Sequence, residues 1–252
     1  MNDAAIPGNG EYKWVGKRTI RPDGVDKVTG RAAYGADYSM PGMLYGKVLR
    51  SPYAHARIVK IDTSKAEALS GVKAVITAAD WPEIPPQSAT KGTAPVNFRH
   101  LSDNLMARRK VLYDGHAVAA VAARNRAEAE DAAEHVFVDW FELPAVTEAA
   151  AALEPIAPVV HEDFASNQAF TAEVLHGDTS AAFADAPYVV ERQFRFNRHT
   201  GVSLETRGLV ADYDPTSDRL TVHQSHQTPH QQQDLYARLL KIPEQNVRVI
   251  CD

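Results

Sequence analysis

The chain has 252 residues, 27 Lys plus Arg against 32 Asp plus Glu, and a formal charge of −5; hydrophobic residues make up 44% and charged residues 23%, which is ordinary globular usage and allows one large domain or two smaller ones. Mild acidity without a Lys/Arg stripe argues against a nucleic-acid surface. The single cysteine, Cys251, excludes a disulfide framework and any cysteine-held zinc or iron–sulfur site within the chain. The longest apolar run, around residue 120, falls far short of the roughly 20 residues of a membrane helix. The polar start (MNDAAIPGNGEYKW) lacks the basic and apolar stretches of a signal peptide. The expectation is a cytoplasmic protein with no membrane and no nucleic-acid partner.

Residues 1–14 read as a flexible arm. Residues 44–49 (LYGKVL) and 55–61 (HARIVKI) alternate apolar and polar side chains, which predicts half-buried strands. Ser64 with Glu67 reads as a capping box that opens a short helix, ended by Gly71. Residues 72–77 (VKAVIT) predict a strand and close a strand–helix–strand unit. The Pro-rich run 81–93 (WPEIPPQSATKGT) predicts a surface loop. A second unit follows: an apolar strand over 115–123, a helix over 125–134 with Asn125 as its cap, and a strand over 135–140. Ala, Glu and Asp fill that helix, which suits a solvated outer face over a small-residue inner face. The Ala- and Pro-rich stretch 144–158 lacks sustained periodicity and reads as a linker at a domain boundary.

Past it, Asp178 predicts the cap of a short helix stopped by Pro187. Residues 188–197 (YVVERQFRFN) alternate strictly and predict a strand. Residues 207–213 and 219–224 predict two more, joined by a turn at 214–218. Thr228 and Pro229 open a helix with an apolar face of Leu235, Tyr236, Leu239 and Leu240, and residues 246–250 (NVRVI) predict a final strand. The fold class is α/β (α+β), in two parts. A strand–helix–strand unit ending at its last residue is expected to be a fragment, or one piece of a split subunit.

His223, His226 and His230 are the densest histidine group. The first two point to opposite faces of an extended strand and the third lies in the helix, so a shared metal is not expected. Neither G-x-S-x-G, G-x-x-x-x-G-K-[ST] nor G-x-G-x-x-G occurs. Cys251 has no activating cation beside it and reads as structural. Arg198, His199, Glu205 and Arg207 crowd one turn, either an ion-pair corner or part of a pocket. Gln227 sits at a strand-to-helix junction, where ligands bind in open α/β folds.

The chain resembles the N-terminal part of the large, molybdopterin-binding subunit of the xanthine dehydrogenase/aldehyde oxidase family, carbon monoxide dehydrogenases included. The first part carries it in KVTGRAAY (27–34), MLYG (43–46), LRSPYAHA (49–56), GVKAV (71–75) and YDGHAVA (113–119). The second carries it in Gly177-Asp178, RHTGVSLE (198–205) and SHQTPH (225–230). The resemblance implies a hammerhead domain over 15–145, a linker over 146–160 and the incomplete start of a molybdopterin-binding domain over 161–252. It implies cofactor contacts from Gln227, whose counterpart hydrogen-bonds the apical oxygen ligand of molybdenum, and from Thr228, with Arg198, His199 and Glu205 in support. No metal ligand and no catalytic base is implied here, since the family's base lies near its C-terminus. The implied activity is molybdenum hydroxylation of an aldehyde or N-heterocycle with oxygen from water, as part of a larger assembly. The molybdenum cofactor, in cytosine dinucleotide form if the source is bacterial, would sit with partner chains: an iron–sulfur subunit with 2Fe–2S clusters, an FAD subunit, and a chain or segment supplying the rest of this subunit. The rival reading is a scaffold that holds an iron–sulfur partner without binding cofactor.

Overall fold

Alternating residues in the first half of the chain become paired strands. After helix α1 (Gly24–Thr29) come β1 (Tyr45–Arg50), β2 (Ala56–Asp62), α2 (Ser64–Glu67) and β3 (Val72–Thr77). They are followed by β4 (Ser88–Lys91), β5 (Ala94–Asn97), α3 (Phe98–Leu105), β6 (Lys110–Val111), β7 (Ala117–Ala123), α4 (Arg126–Glu134) and β8 (Phe137–Glu142). The short helices α5 (Ala149–Ala152) and α6 (Thr179–Asp185) precede β9 (Leu209–Asp214), β10 (Arg219–Gln224), α7 (Pro229–Leu240) and β11 (Val247–Ile250). This computed structural model describes residues 13, 14, 16, 18–85, 88–91, 94–197 and 199–251. Contacts divide the chain into two units. One comprises Met40–Val202 with Tyr236–Lys241; the other comprises Met1–Ser39, Ser203–Leu235 and Ile242–Asp252.

The unit containing Met40–Val202 has two three-stranded sheets, ordered β1-β7-β3 and β6-β2-β8, and a β4-β5 hairpin. Every pairing in it is antiparallel. Both predicted strand–helix–strand units are therefore crossings from one sheet to the other: β2–α2–β3 and β7–α4–β8. Strand β7 is the axis. Its Ala119 and Val121 pack with Ala66, Ala132, Ala133 and Val136, while Val118 joins Ala56, Ala107 and Val111 in a second cluster. Ile61 and Val138 pack against both clusters. The alanines of β7 and α4 let helix and strand approach closely, which is why so apolar a strand carries so little bulk. Asn125 caps α4 as expected, its Oδ1 accepting from Glu128 N at 2.9 Å.

His116 is sealed in this unit. Its Nδ1 accepts from Leu112 N (3.2 Å), so Nε2 carries the proton and donates to the Asp103 carbonyl (2.9 Å). Tyr113 stacks on the ring at 4.4 Å. Burial pushes the His116 pKa below its ordinary value of 6.5, against the opposing pull of the backbone hydrogen bonds.

Several expectations change. The cap of α2 is Thr63, not Ser64. Asp62 Oδ1 takes both the Ser64 amide (3.2 Å) and hydroxyl (2.6 Å), leaving Glu67 to accept from the Thr63 hydroxyl (2.6 Å). The Pro-rich run over 81–93 contains strand β4, and it leads into β5 and α3, which were not predicted. The stretch 144–158 contains helix α5. Residues 188–197 form no strand: the most regular alternation in the chain is irregular and exposed. An extended segment without a ladder partner has only water for its amides and no surface on which to bury one face.

In the other unit a sheet runs β11-β10-β9. Strands β9 and β10 pair antiparallel from Arg219↔Asp214 to Gln224↔Leu209. Their turn is tied by Asp214, which accepts from Thr216 N (2.9 Å) and the Ser217 hydroxyl (2.6 Å); these bonds hold its carboxyl below the usual range. Strand β11 runs parallel to β10, reached through α7 as the sequence predicts. Leu220, Val222 and Gln224 of β10 are buried, as is Val247 of β11.

Candidate functional site

A parallel strand pair joined by a helix gathers one strand end, the helix start and the connecting loop at a single edge. Here that edge is the C-terminal end of β10, followed by Ser225, His226, Gln227 and Thr228. Two glycines shape it. The Ser225 amide donates to the Gly208 carbonyl at 3.2 Å, and the segment 35–38 crosses over this pair. A Cβ built on Gly35 would lie 2.7 Å from the Gly208 carbonyl and 2.9 Å from Ser225 N; one on Gly208 would lie 2.9 Å from Ala36 N. Backbone passes over backbone at these two residues, and no side chain fits between. Three residues on, Tyr38 lays its ring on His223 with centroids 4.3 Å apart. Segment 35–38 thus covers the His223/Ser225 face of β10, opposite the face of Leu220, Val222 and Gln224.

Beyond Ser225 the chain turns on His226. Its Nδ1 accepts from Thr228 N at 3.1 Å, with the Thr228 hydroxyl 3.0 Å away. An amide N–H can only donate, so Nδ1 is the unprotonated nitrogen and Nε2 carries hydrogen. The Gln232 side-chain Nε2 lies 3.2 Å from that ring nitrogen. The Thr228 carbonyl accepts from Gln232 N at 3.2 Å, the first turn of α7. Gln227, between these anchored neighbours, is exposed.

Glu205 approaches the same crossing. Its Oε1 accepts from Gly35 N in a long bond of 3.5 Å. It lines a cleft of about 430 Å³ with Tyr34, Ala36, Asp37, Leu204 and Thr206. Asp37 closes the turn beneath, accepting from Tyr34 N at 2.9 Å.

Of the residues singled out from sequence, Gln227 and Thr228 are neighbours at the β10 edge, and Glu205 reaches that edge through Gly35. His199 belongs to the other unit; its Nδ1 lies 3.2 Å from the Asn197 carbonyl. Arg198 lies outside the described residues. Gly35, Gly208 and Tyr38 were missed. The signal for Gly35 was present in Tyr34-Gly35-Ala36-Asp37, a turn composition one residue past the motif that drew attention.

Among the described residues no three His, Cys, Asp or Glu side chains could hold a metal ion together. What the edge offers is donors: the Gln227 amide and the first N–H groups of a twelve-residue helix. Such donors suit the oxygens of an anionic group held by hydrogen bonds, and not direct ligation of a metal. Donors of this kind are compatible with the oxygen-bearing pterin cofactor that the family resemblance implies.

The profile described as "Aldehyde oxidase and xanthine dehydrogenase, a/b hammerhead domain" matches residues 29–144. A second, "Molybdopterin cofactor-binding domain", matches residues 160–252. The chain belongs to the xanthine dehydrogenase/aldehyde oxidase family. In the family's terms its α/β (α+β) fold is a hammerhead domain followed by the start of a molybdopterin-binding domain. The xanthine dehydrogenase molybdenum-binding subunit of Escherichia coli is 36% identical over 92% of this chain and 30% of its own. The nicotinate dehydrogenase large molybdopterin subunit of Eubacterium barkeri is 35% identical over 95% of this chain and 54% of its own. Quinoline 2-oxidoreductase from Pseudomonas putida 86 superimposes with a TM-score of 0.79 at 35% identity, over 92% of this chain and 29% of its own. The chain spans about a third of the length of most relatives it matches, and about half of the Eubacterium barkeri subunit.

Proposed function

We propose that this chain is the hammerhead (15–145) and cofactor-facing (161–252) part of a molybdenum hydroxylase, joined by a linker over 146–160. The enzyme would oxidise an aldehyde or N-heterocycle within an assembly of iron–sulfur and FAD subunits. The observation that carries the reading is the exposed Gln227 amide, held between His226 and Thr228 at the end of β10, inside the stretch that matches the molybdopterin-binding profile. When bound, the cofactor, in its cytosine dinucleotide form on this reading, supplies the two-electron oxidation of a C–H bond with oxygen from water.

This chain's part is orientation. Gln227 offers an amide N–H to an oxygen of the cofactor, a donor that stabilises negative charge without displacing a ligand. Thr228 fixes the backbone beside it through His226. Glu205 holds Gly35, and Gly35 packs on Ser225 two residues upstream. Arg198 and His199 belong to the same proposal as supports. Relatives carry the matched region within subunits of different lengths, so the polypeptide completing the cradle is part of the reading.

The test is Gln227→Ala in the assembled enzyme. Turnover should fall by about tenfold or more while the thermal midpoint stays within about a degree, because the lost bond is made to the cofactor. Equal thermal loss with unchanged turnover defeats the role of Gln227. A stable complex with an iron–sulfur partner but without molybdenum or pterin defeats the enzyme reading and leaves the scaffold.

A further inference from the structure

Strand β2 meets β6 with Arg57 directly opposite Lys110, which sets two cations side by side on one face. The backbone fixes that register, Ile58 N donating to the Arg109 carbonyl at 2.8 Å. These residues line a cleft of about 530 Å³ whose other walls come from α3 and residues 161–163. Five Arg and Lys side chains and two His meet three carboxylates there, in a chain whose formal charge is −5. The carboxylates already have partners: Asp103 and Asp163 lie 3.9 and 3.6 Å from Arg99, and Glu162 lies 3.2 Å from Lys110. Among the described residues Arg57 and Arg109 have no ion-pair partner, and Arg108 donates to the Trp81 carbonyl at 3.2 Å. His100 and His161 stack on the same wall with centroids 5.0 Å apart. Burial, then the positive field of His100 and Lys110, pushes the His161 pKa below its ordinary 6.5, against the pull of Asp163 and Asp103.

We propose that this cleft binds a small molecule carrying one or more phosphate groups. With both histidines neutral, the lining holds two more cations than carboxylates, a surplus that matches one phosphate monoester, roughly −1.5 to −2 near neutral pH. The guanidinium forks of Arg57 and Arg109 suit phosphate oxygens, which they can meet two at a time. The volume lies within the range of small-molecule sites, roughly 300–1,000 Å³. Two of the cations are recessed, the Arg99 and Lys110 side chains being 29% and 17% exposed, so a ligand small enough to enter the cleft reaches them. A phosphate between Arg57 and Lys110 also offsets the repulsion that their strand register imposes. The site stands apart from the Gln227 edge, which belongs to the other unit.

The probe is pyrophosphate, titrated by calorimetry at fixed ionic strength into the full chain and into the assembly purified from its own cells, with citrate as the carboxylate comparison. Pyrophosphate should bind both samples, about tenfold more tightly than citrate. Arg57→Gln combined with Arg109→Gln should weaken pyrophosphate by about tenfold or more. The same pair of changes should leave the ligand-free thermal midpoint unchanged or raise it, since it removes a like-charge contact and no ion pair. Arg192→Gln combined with Arg195→Gln removes equal charge outside the cleft and should bind as wild type. No binding, or citrate binding as tightly as pyrophosphate, overturns the proposal. Equal weakening in both double variants reduces the effect to net charge and overturns it too. Binding to the free chain that vanishes in the assembly assigns the cleft to an acidic segment of a partner polypeptide, and the small-molecule site falls.

Discussion

Residues 55–61 and 188–197 share a pattern and part company in structure. HARIVKI becomes β2, paired on one side with β6 and on the other with β8, and its Ile61 packs against both core clusters. YVVERQFRFN alternates at least as regularly and stays irregular, with Phe196 90% exposed. Alternation states which face a strand would bury; only a partner with a ladder and a surface makes the strand. The region around β7 is paired on both sides, whereas among the described residues no strand pairs with 188–197.

The sharpest way to break that contrast is to place one charge in each region. Val121 is 1% exposed at the centre of the β1-β7-β3 sheet. Val121→Asp should cost about 3–5 kcal/mol, because a carboxylate there has no partner. Phe196→Asp should change the isolated chain's stability by less than about 0.5 kcal/mol. Urea unfolding of both variants measures the difference, and a comparable loss at Phe196 would show that the segment packs in solution.

The second effect belongs to His116. His116→Leu strands the Leu112 amide and the Asp103 carbonyl in the interior, a loss of roughly 2–4 kcal/mol. The wild type also gains a pH dependence from this ring. With its folded pKa pushed down by burial, the unfolded chain takes up a proton first as pH falls below about 6.5. The stabilisation is full above that pH and is lost as pH falls toward the folded pKa. Urea midpoints from pH 7.5 to 5 should decline in wild type, and the decline should be shallower in His116→Leu; parallel slopes would remove His116 from the account.

What the sequence made legible divides along the same line. Most signals local to one stretch of chain read correctly, Asn125 and Asp178 as caps, Pro229 as the first residue of α7 and the turn at 214–218 among them, while the cap of α2 fell one residue earlier than read, at Thr63. Signals that depend on a distant stretch did not. Nothing between residues 81 and 97 announces a hairpin, because Pro and Gly there mark punctuation and not pairing. Both strand–helix–strand units were visible, but not that each passes between two sheets. At the candidate site the Gln227 and Thr228 edge followed from the strand-to-helix junction, whereas the Gly35–Gly208 crossing joins residues about 170 apart and had only a turn signature on one side. The family resemblance carried the chemistry that spacing could not.

That crossing sets the third prediction, within the unit of β9, β10 and β11. Gly208→Ala drives a methyl group into the Ala36 backbone and should cost about 1–3 kcal/mol. It should also loosen Ser225 to Thr228, read as faster exchange at the Thr228 amide. The same substitution at Gly46, where a Cβ meets nothing within 4 Å, is the control and should leave that amide unchanged. Slower or unchanged exchange in Gly208→Ala would separate the crossing from the Gln227 edge.

The smallest effect contrasts two caps of the same geometry. Asn125 Oδ1 and Asp178 Oδ1 each accept from an amide three residues on at 2.9 Å. Helix α4 buries Ala129, Ala132 and Ala133 against the core, and α6 buries nothing. Loss of a cap costs about 1 kcal/mol of helix stability in either case, but that loss reaches the global transition only where helix and core unfold together. Asn125→Ala should therefore lower the unfolding free energy by about 1 kcal/mol. Asp178→Ala should leave the global transition in place while speeding exchange within α6 alone. A global loss from Asp178→Ala would mean that the stretch around α6 is packed as firmly as α4, and the division between the two regions would fall with it.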